Sequence, residues 1–116
     1  MVYIMNMKDI RIMQLPIFTK LVTGLLSDLE FWELQDELAE RPAAGTLIPG
    51  GKGLRKLRWM LARGGRGKRG GVRVIYYWRP SPALLCFVTI YAKSSRENLT
   101  PQQLKLLARL VEEQIK

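Results

Sequence analysis

A chain of 116 residues with 47% hydrophobic and 25% charged content has the size and makeup of one domain with a modest core. Its formal charge of +9 and pI near 10.1 point to a polyanionic partner. With no histidine and a single cysteine, Cys86, internal disulfides, Cys/His zinc clusters and histidine acid/base chemistry are excluded.

The opening MVYIMNMKDIRIM lacks the long apolar core of a signal peptide, and no run approaches the ~18 apolar residues that span a bilayer. The expected location is therefore a reducing cytoplasm, with no membrane partner. Val2 to Leu15 alternates in short apolar pieces and predicts a first strand, with an untidy start among Met1, Met5 and Met7. Pro16 opens a short helix in which Phe18, Leu21, Val22 and Leu25 recur at helical spacing, and Gly24 weakens its tail. Ser27-Asp28-Leu29-Glu30 has the form of a capping box, so a second helix runs to about Arg41, where Pro42 stops it. Phe31, Leu34 and Leu38 form its apolar face; Glu33, Asp36, Glu37 and Glu40 form its wet face rather than a catalytic carboxylate pair.

Ala43 to Gly53 is a loop of small residues whose GGKG, with Lys52, could bring backbone close to phosphate, but no Ser or Thr follows at Walker spacing. Leu54 to Met60 is a strand with Lys56 and Arg58 on one face and Arg55, Leu57 and Trp59 on the other. Ala62 to Gly71, ARGGRGKRGG, contains Arg66, Lys68 and Arg69; it reads either as a basic loop with nonspecific attraction to polyanions or as a segment that orders on RNA. In the strand Val72 to Trp78, Arg73 shares a face with Ile75 and Tyr77, at a concave rim or as a solvated edge charge. Leu84 to Ala92 is the most apolar segment and predicts a central strand, with Thr89, Tyr91 and Lys93 on one face. Within it Cys86 is a small buried hydrophobe or a reactive thiol. Asn98-Leu99-Thr100 matches a glycosylation acceptor, set aside without a secretory signal. Thr100-Pro101-Gln102-Gln103 caps a last amphipathic helix built on Leu104, Leu107, Ala108, Val111 and Ile115.

This order predicts an α+β domain, a small antiparallel sheet with two N-terminal helices and one C-terminal helix, the last three strands forming a meander. From Arg41 through Arg96 there are thirteen Lys and Arg and no acid. That unbalanced stretch centres on Gly50 to Trp78 and expects phosphate, with nucleic acid the first partner to test.

The pattern GLRKLRW, then KRGGVRVIYY, then FVTIYAK followed by a polar turn and helix, resembles the RelE superfamily of toxins from type II toxin-antitoxin pairs, most closely the HigB branch. The resemblance covers about Gly50 to Leu110; the N-terminal half matches in element order. It implies an mRNA interferase, a cytoplasmic endoribonuclease that cuts translated mRNA in the ribosomal decoding site and is held inactive by a cognate antitoxin, HigA-like or RelB-like. It implies no metal or other cofactor. Lys56 and Arg58 fall on the family's cationic pair and Arg73 on its third-strand arginine. Ser94 and Thr100 stand where the archetype has a late arginine and tyrosine, so Tyr91 and Lys93 are the nearest replacements. Lys52, Arg55, Arg66, Lys68 and Arg69 are the accompanying RNA-binding candidates. In such a set Arg58 and Arg73 suit phosphorane stabilisation, and Lys56, Lys93 and Tyr91 are the candidate proton carriers. The competing reading is a non-catalytic basic RNA- or ribosome-binding module that uses the same surface.

Overall fold

Two-residue turns and capping boxes divide the chain into short elements, and the computed structural model describes residues 3–60, 71–95 and 98–115. Among these, β1 (Tyr3–Met7) and β2 (Ile10–Gln14) precede α1 (Pro16–Leu25) and α2 (Asp28–Glu40). Then follow β3 (Thr46–Leu47), β4 (Leu54–Trp59), β5 (Val72–Pro80), β6 (Ala83–Ala92) and α3 (Pro101–Ile115). The domain is α+β, as expected. Its six strands form one sheet in the order β1-β2-β6-β5-β4-β3, antiparallel throughout except where β2 runs parallel to β6. Among the described residues no helix is long and apolar enough to cross a membrane.

The single first strand expected over Val2 to Leu15 is instead a hairpin. Lys8 and Asp9 both take positive φ, 51° and 63°, the geometry of a tight turn that matches strand twist. No glycine marks that turn, which is why the sequence hides it; Lys8 reaches Asp36 at 3.0 Å and Glu40 at 2.5 Å on α2 and holds the turn there. Those two carboxylates raise the Lys8 pKa, Glu40 contributing most. Within the loop expected over Ala43 to Gly53, Thr46 and Leu47 pair with Lys56 and Arg55 and form the short edge strand β3.

Both capping boxes form. Ser27 Oγ accepts from the Glu30 amide at 3.1 Å while the Ser27 amide donates to Glu30 at 2.7 Å. Thr100 and Gln103 repeat the exchange at 3.1 and 2.9 Å, fixing where α3 begins.

The sheet is covered on both faces. On one, Phe18 of α1 stacks on Phe87 of β6 at 4.8 Å, and Phe31 of α2 closes the trio at 5.6 Å from each. Leu34 and Leu38 pack beside them, with Val72, Val74 and Tyr76 from β5. On the other, Leu107 and Val111 of α3 cover Ile75, Cys86 and Val88. Burial on two faces accounts for the unbroken apolar run of β6. The β5–β6 pairing steps from Ile75↔Thr89 to Tyr76↔Phe87, leaving Val88 as an extra residue, a β-bulge. Strict alternation would put Phe87 and Tyr91 on the same face; the bulge sends Phe87 toward α1 and Tyr91 toward α3.

Cys86 is fully buried, which decides for the hydrophobe over the reactive thiol, and burial pushes its pKa up to about 12. An unfolded thiol ionises near ~8.5, so between roughly that pH and about 12 the unfolded chain holds fewer protons and stability falls as pH rises. Cys86→Ala should flatten the alkaline limb of a urea-stability profile by up to about 1.4 kcal/mol per pH unit; superimposable profiles would refute the assignment.

Two glycines should respond in opposite directions. Gly24 has open space where a Cβ would sit, so Gly24→Ala should stabilise α1 by ~0.5–1 kcal/mol. Gly71 has φ +70°, and a Cβ there would lie 2.1 Å from the Trp59 carbonyl oxygen, so Gly71→Ala should cost more than about 1 kcal/mol. Chemical denaturation of both variants reads the contrast directly.

Candidate functional site

Three adjacent strands place the expected site residues in one row. Arg58 of β4 is directly opposite Arg73 of β5, and Arg73 is directly opposite Tyr91 of β6. One step along the same face, Lys56 pairs with Ile75 and Ile75 with Thr89. Directly opposed Cβ atoms are about 4.5–5.5 Å apart, and like charges so placed oppose folding unless an anion comes between them. This is the α3 side of the sheet, whereas the carboxylates Asp36, Glu37 and Glu40 belong to α2 and engage Lys8 and Arg41 there.

The row is graded in exposure. Arg58 is exposed near the end of β4, while Arg73 is only 3% and Tyr91 8% exposed. Arg73 is thus no solvated edge charge: it lies on a strand with neighbours on both sides, where packing fixes its direction. Lys93 is just past β6 and exposed, its backbone amide bonded to the Gly71 carbonyl at 3.2 Å. That bond joins the end of β6 to the residue just before β5, two residues from Arg73.

Lys56 donates through Nζ to Asn98 Oδ1 at 2.6 Å, and both residues line a cleft of about 530 Å³. Tyr91 lines this cleft and also a second one, of about 780 Å³, between α1 and α3. The second is walled by Ile17, Leu21 and Leu106, each partly exposed.

Arg55 points to the opposite face and has a structural task. Its Nη1 donates to the Gly45 carbonyl at 2.7 Å and to that of Ala43 at 3.3 Å. Tyr76 completes this anchor: its hydroxyl accepts from the Gly45 amide at 2.8 Å and donates to the Pro42 carbonyl at 2.7 Å. Burial is the main cause of the raised Tyr76 pKa, partly offset by the Gly45 amide and the Arg55 charge. A Cβ on Gly45 would lie 2.7 Å from the Tyr76 ring, so the close approach requires glycine. The anchored loop leads into Thr46, the register partner of Lys56, and so sets one wall of the smaller cleft.

Lys52 is exposed at φ 53°, in a turn where the Gly51 and Leu54 amides bond to the Ile48 and Gly51 carbonyls. Those two amides of the GGKG turn face the loop itself rather than an incoming phosphate. Arg66, Lys68 and Arg69 lie outside the described residues. The structure therefore brings Lys56, Arg58, Arg73 and Tyr91 together, places Lys93 at the strand exit, and sets Lys52 and Arg55 apart from the row.

Asn98 and Lys105 are cleft residues that sequence reading did not single out. Asn98 was visible only as a glycosylation pattern, and Lys105 only as one charge on an amphipathic helix. Their approach to β4 is a tertiary fact with no local signal. Among the described residues no three His, Cys, Asp or Glu side chains gather as a metal-binding group. No protein-family model matches the chain.

Removing the Tyr76 hydroxyl tests the anchor. Tyr76→Phe should destabilise by about 1–3 kcal/mol, because it strands a buried amide and a half-buried carbonyl. Urea denaturation reads the cost; a change below about 0.5 kcal/mol would show that the loop is held by other contacts.

Proposed function

We propose that this chain is the toxin of a type II toxin-antitoxin pair, RelE-like and closest to the HigB branch, and that it acts as a ribosome-dependent mRNA endoribonuclease in the cytoplasm. The observation that carries the reading is the row Arg58, Arg73, Tyr91 with Lys56 beside it, built on the three strands whose sequences bear the resemblance.

The chemistry suits that row. The 2′-oxygen of a ribose attacks the adjacent phosphorus, the bond from phosphorus to the 5′-oxygen breaks, and a 2′,3′-cyclic phosphate forms. One proton leaves the 2′-hydroxyl and one reaches the 5′-oxygen. Arg58 and Arg73, permanently charged, stabilise the phosphorane that carries the extra negative charge. Arg73, held in the sheet, is pre-oriented; Arg58, exposed, is where an incoming phosphate first meets the row. Tyr91, Lys56 and Lys93 are the groups able to move the two protons. Without histidine this is a weak acid/base set, and it fits an enzyme whose substrate is aligned by the ribosome, since alignment alone supplies much of a rate. The basic face is also where a cognate antitoxin, HigA-like or RelB-like, would suppress activity by covering the row.

Primer extension on mRNA from a translating extract tests the reading. Wild-type protein should create new cuts that vanish when an inhibitor empties the decoding site. Arg58→Ala, at an exposed position, should reduce them by about 10²–10³-fold, the usual cost of losing one transition-state donor. Intact message with protein bound to ribosomes would leave the non-catalytic binding module; cuts on naked RNA would keep the nuclease and remove the ribosome from its mechanism.

A further inference from the structure

The smaller cleft is built for more than a phosphate. Its walls are apolar, from Leu47 and Ile48 beside β3, Ile75 of β5, and Leu99 and Leu104 near the start of α3. Its polar groups are Thr46, Lys56, Tyr91, Asn98 and Lys105, with no acid among the residues lining it. A phosphate calls for cations and amides and gains nothing from hydrocarbon walls. A hydrocarbon ligand gains nothing from two hydroxyls, a carboxamide and two ammonium groups. A nucleobase uses both, apolar surface for its faces and donors and acceptors for its edge. A volume of about 530 Å³ is in the range of small-ligand sites, about 300–1,000 Å³.

We propose that this cleft receives one nucleobase of the RNA strand, next to the phosphate held at Arg58 and Arg73, and that Asn98 reads its edge. The proposal rests on the reading of the cationic row as an RNA site. Lys56 links the two: it lines the cleft and lies two residues from Arg58 on the same strand face, about 6–7 Å away. An ammonium only donates, so the bond at 2.6 Å fixes the Asn98 carboxamide with its oxygen toward Lys56 and its amino group turned away. The amino group is then a donor for a base acceptor. When Lys56 exchanges Asn98 for phosphate, the Asn98 oxygen becomes an acceptor as well, and the carboxamide presents the paired donor and acceptor that distinguish one base edge from another. Phosphate capture by Lys56 and base reading by Asn98 are thereby coupled in one exchange.

Two measurements on the full chain test this. Amide shifts of Thr46, Asn98 and Leu104 are followed by NMR during titration with AMP, CMP, GMP and UMP, and with ribose 5-phosphate as the control lacking a base. At least one nucleotide should move these signals while ribose 5-phosphate does not. Equal shifts from ribose 5-phosphate, or no shift with any nucleotide at millimolar concentration, would overturn the proposal. In the second measurement, the cuts made in translated mRNA are mapped for wild type and Asn98→Ala, with Leu47→Ser as an independent change at the cleft. Base preference at one fixed offset from the cut should fall by about tenfold in Asn98→Ala, the ratio expected for one lost edge contact. An unchanged preference in both variants would mean that the cleft does not read the RNA strand, whatever free nucleotides it binds. Nucleotide-dependent shifts from a protein that makes no cuts would refute the nuclease reading and leave the nucleobase site standing.

Discussion

The direction in which Tyr91 points is set three residues earlier, by the extra residue Val88 in β6. This strand is apolar on both faces, so its own alternation does not specify which side chains go to which side. The demands come from its surroundings. Leu85 and Phe87 must meet α1 and α2, while Tyr91 must stand opposite Arg73 on the α3 side. No strand of strict period two satisfies both. The bulge absorbs the mismatch, and it does so at Ile75, between the aromatic core and the cationic row. Core and site thus hold the sheet in a shared register, and neither can shift along β6 without the other.

Around that register the molecule separates its charges. Acidic side chains of α2 gather on one side of the sheet, where Lys8 and Arg41 engage them, and the row of Arg58, Arg73 and Lys56 occupies the other. In a protein of net charge +9 this puts the α2 carboxylates across a packed layer from the row, while Glu112 of α3 lies beside Lys52 and Leu54, at the other end of β4 from Arg58. A site so arranged is prepared for an anion from outside. Arg55, one residue from Lys56 and on the opposite face, shows how far facing decides role: its charge holds the loop at Gly45 while its neighbour faces the cleft.

Much of this was legible in the sequence, for reasons that differ by element. The two capping boxes and the proline stop at Pro42 are local signals, and the helix bounds followed from them. The alternation in β4 and β5 placed Lys56, Arg58 and Arg73 on one face correctly, because those strands carry polar residues that mark a side. The N-terminal hairpin escaped because its turn uses Lys8 and Asp9 in place of glycine, stabilised by contacts with a helix more than twenty residues away. The bulge escaped because a strand buried on both faces has no regular alternation of polar and apolar residues to betray a shift. Asn98 escaped because its meaning lies in a bond to a residue forty-two positions earlier.

The parallel pairing of β2 with β6 bears on how the nascent chain matures. Ile12 aligns with Leu85 and Met13 with Cys86, so the first hairpin joins the rest of the sheet through β6, the last of the described strands in chain order. The meander β4-β5-β6 and the hairpin β1-β2 can each form from local pairings, yet they meet only after Ala92 has left the ribosomal exit tunnel. Until then Phe18 and Phe31 have no Phe87 to pack on, and Arg73 has no Tyr91 opposite it. A chain interrupted before β6 would therefore lack Phe87 from the core and Tyr91 from the row together, so that core and site are completed by the same strand.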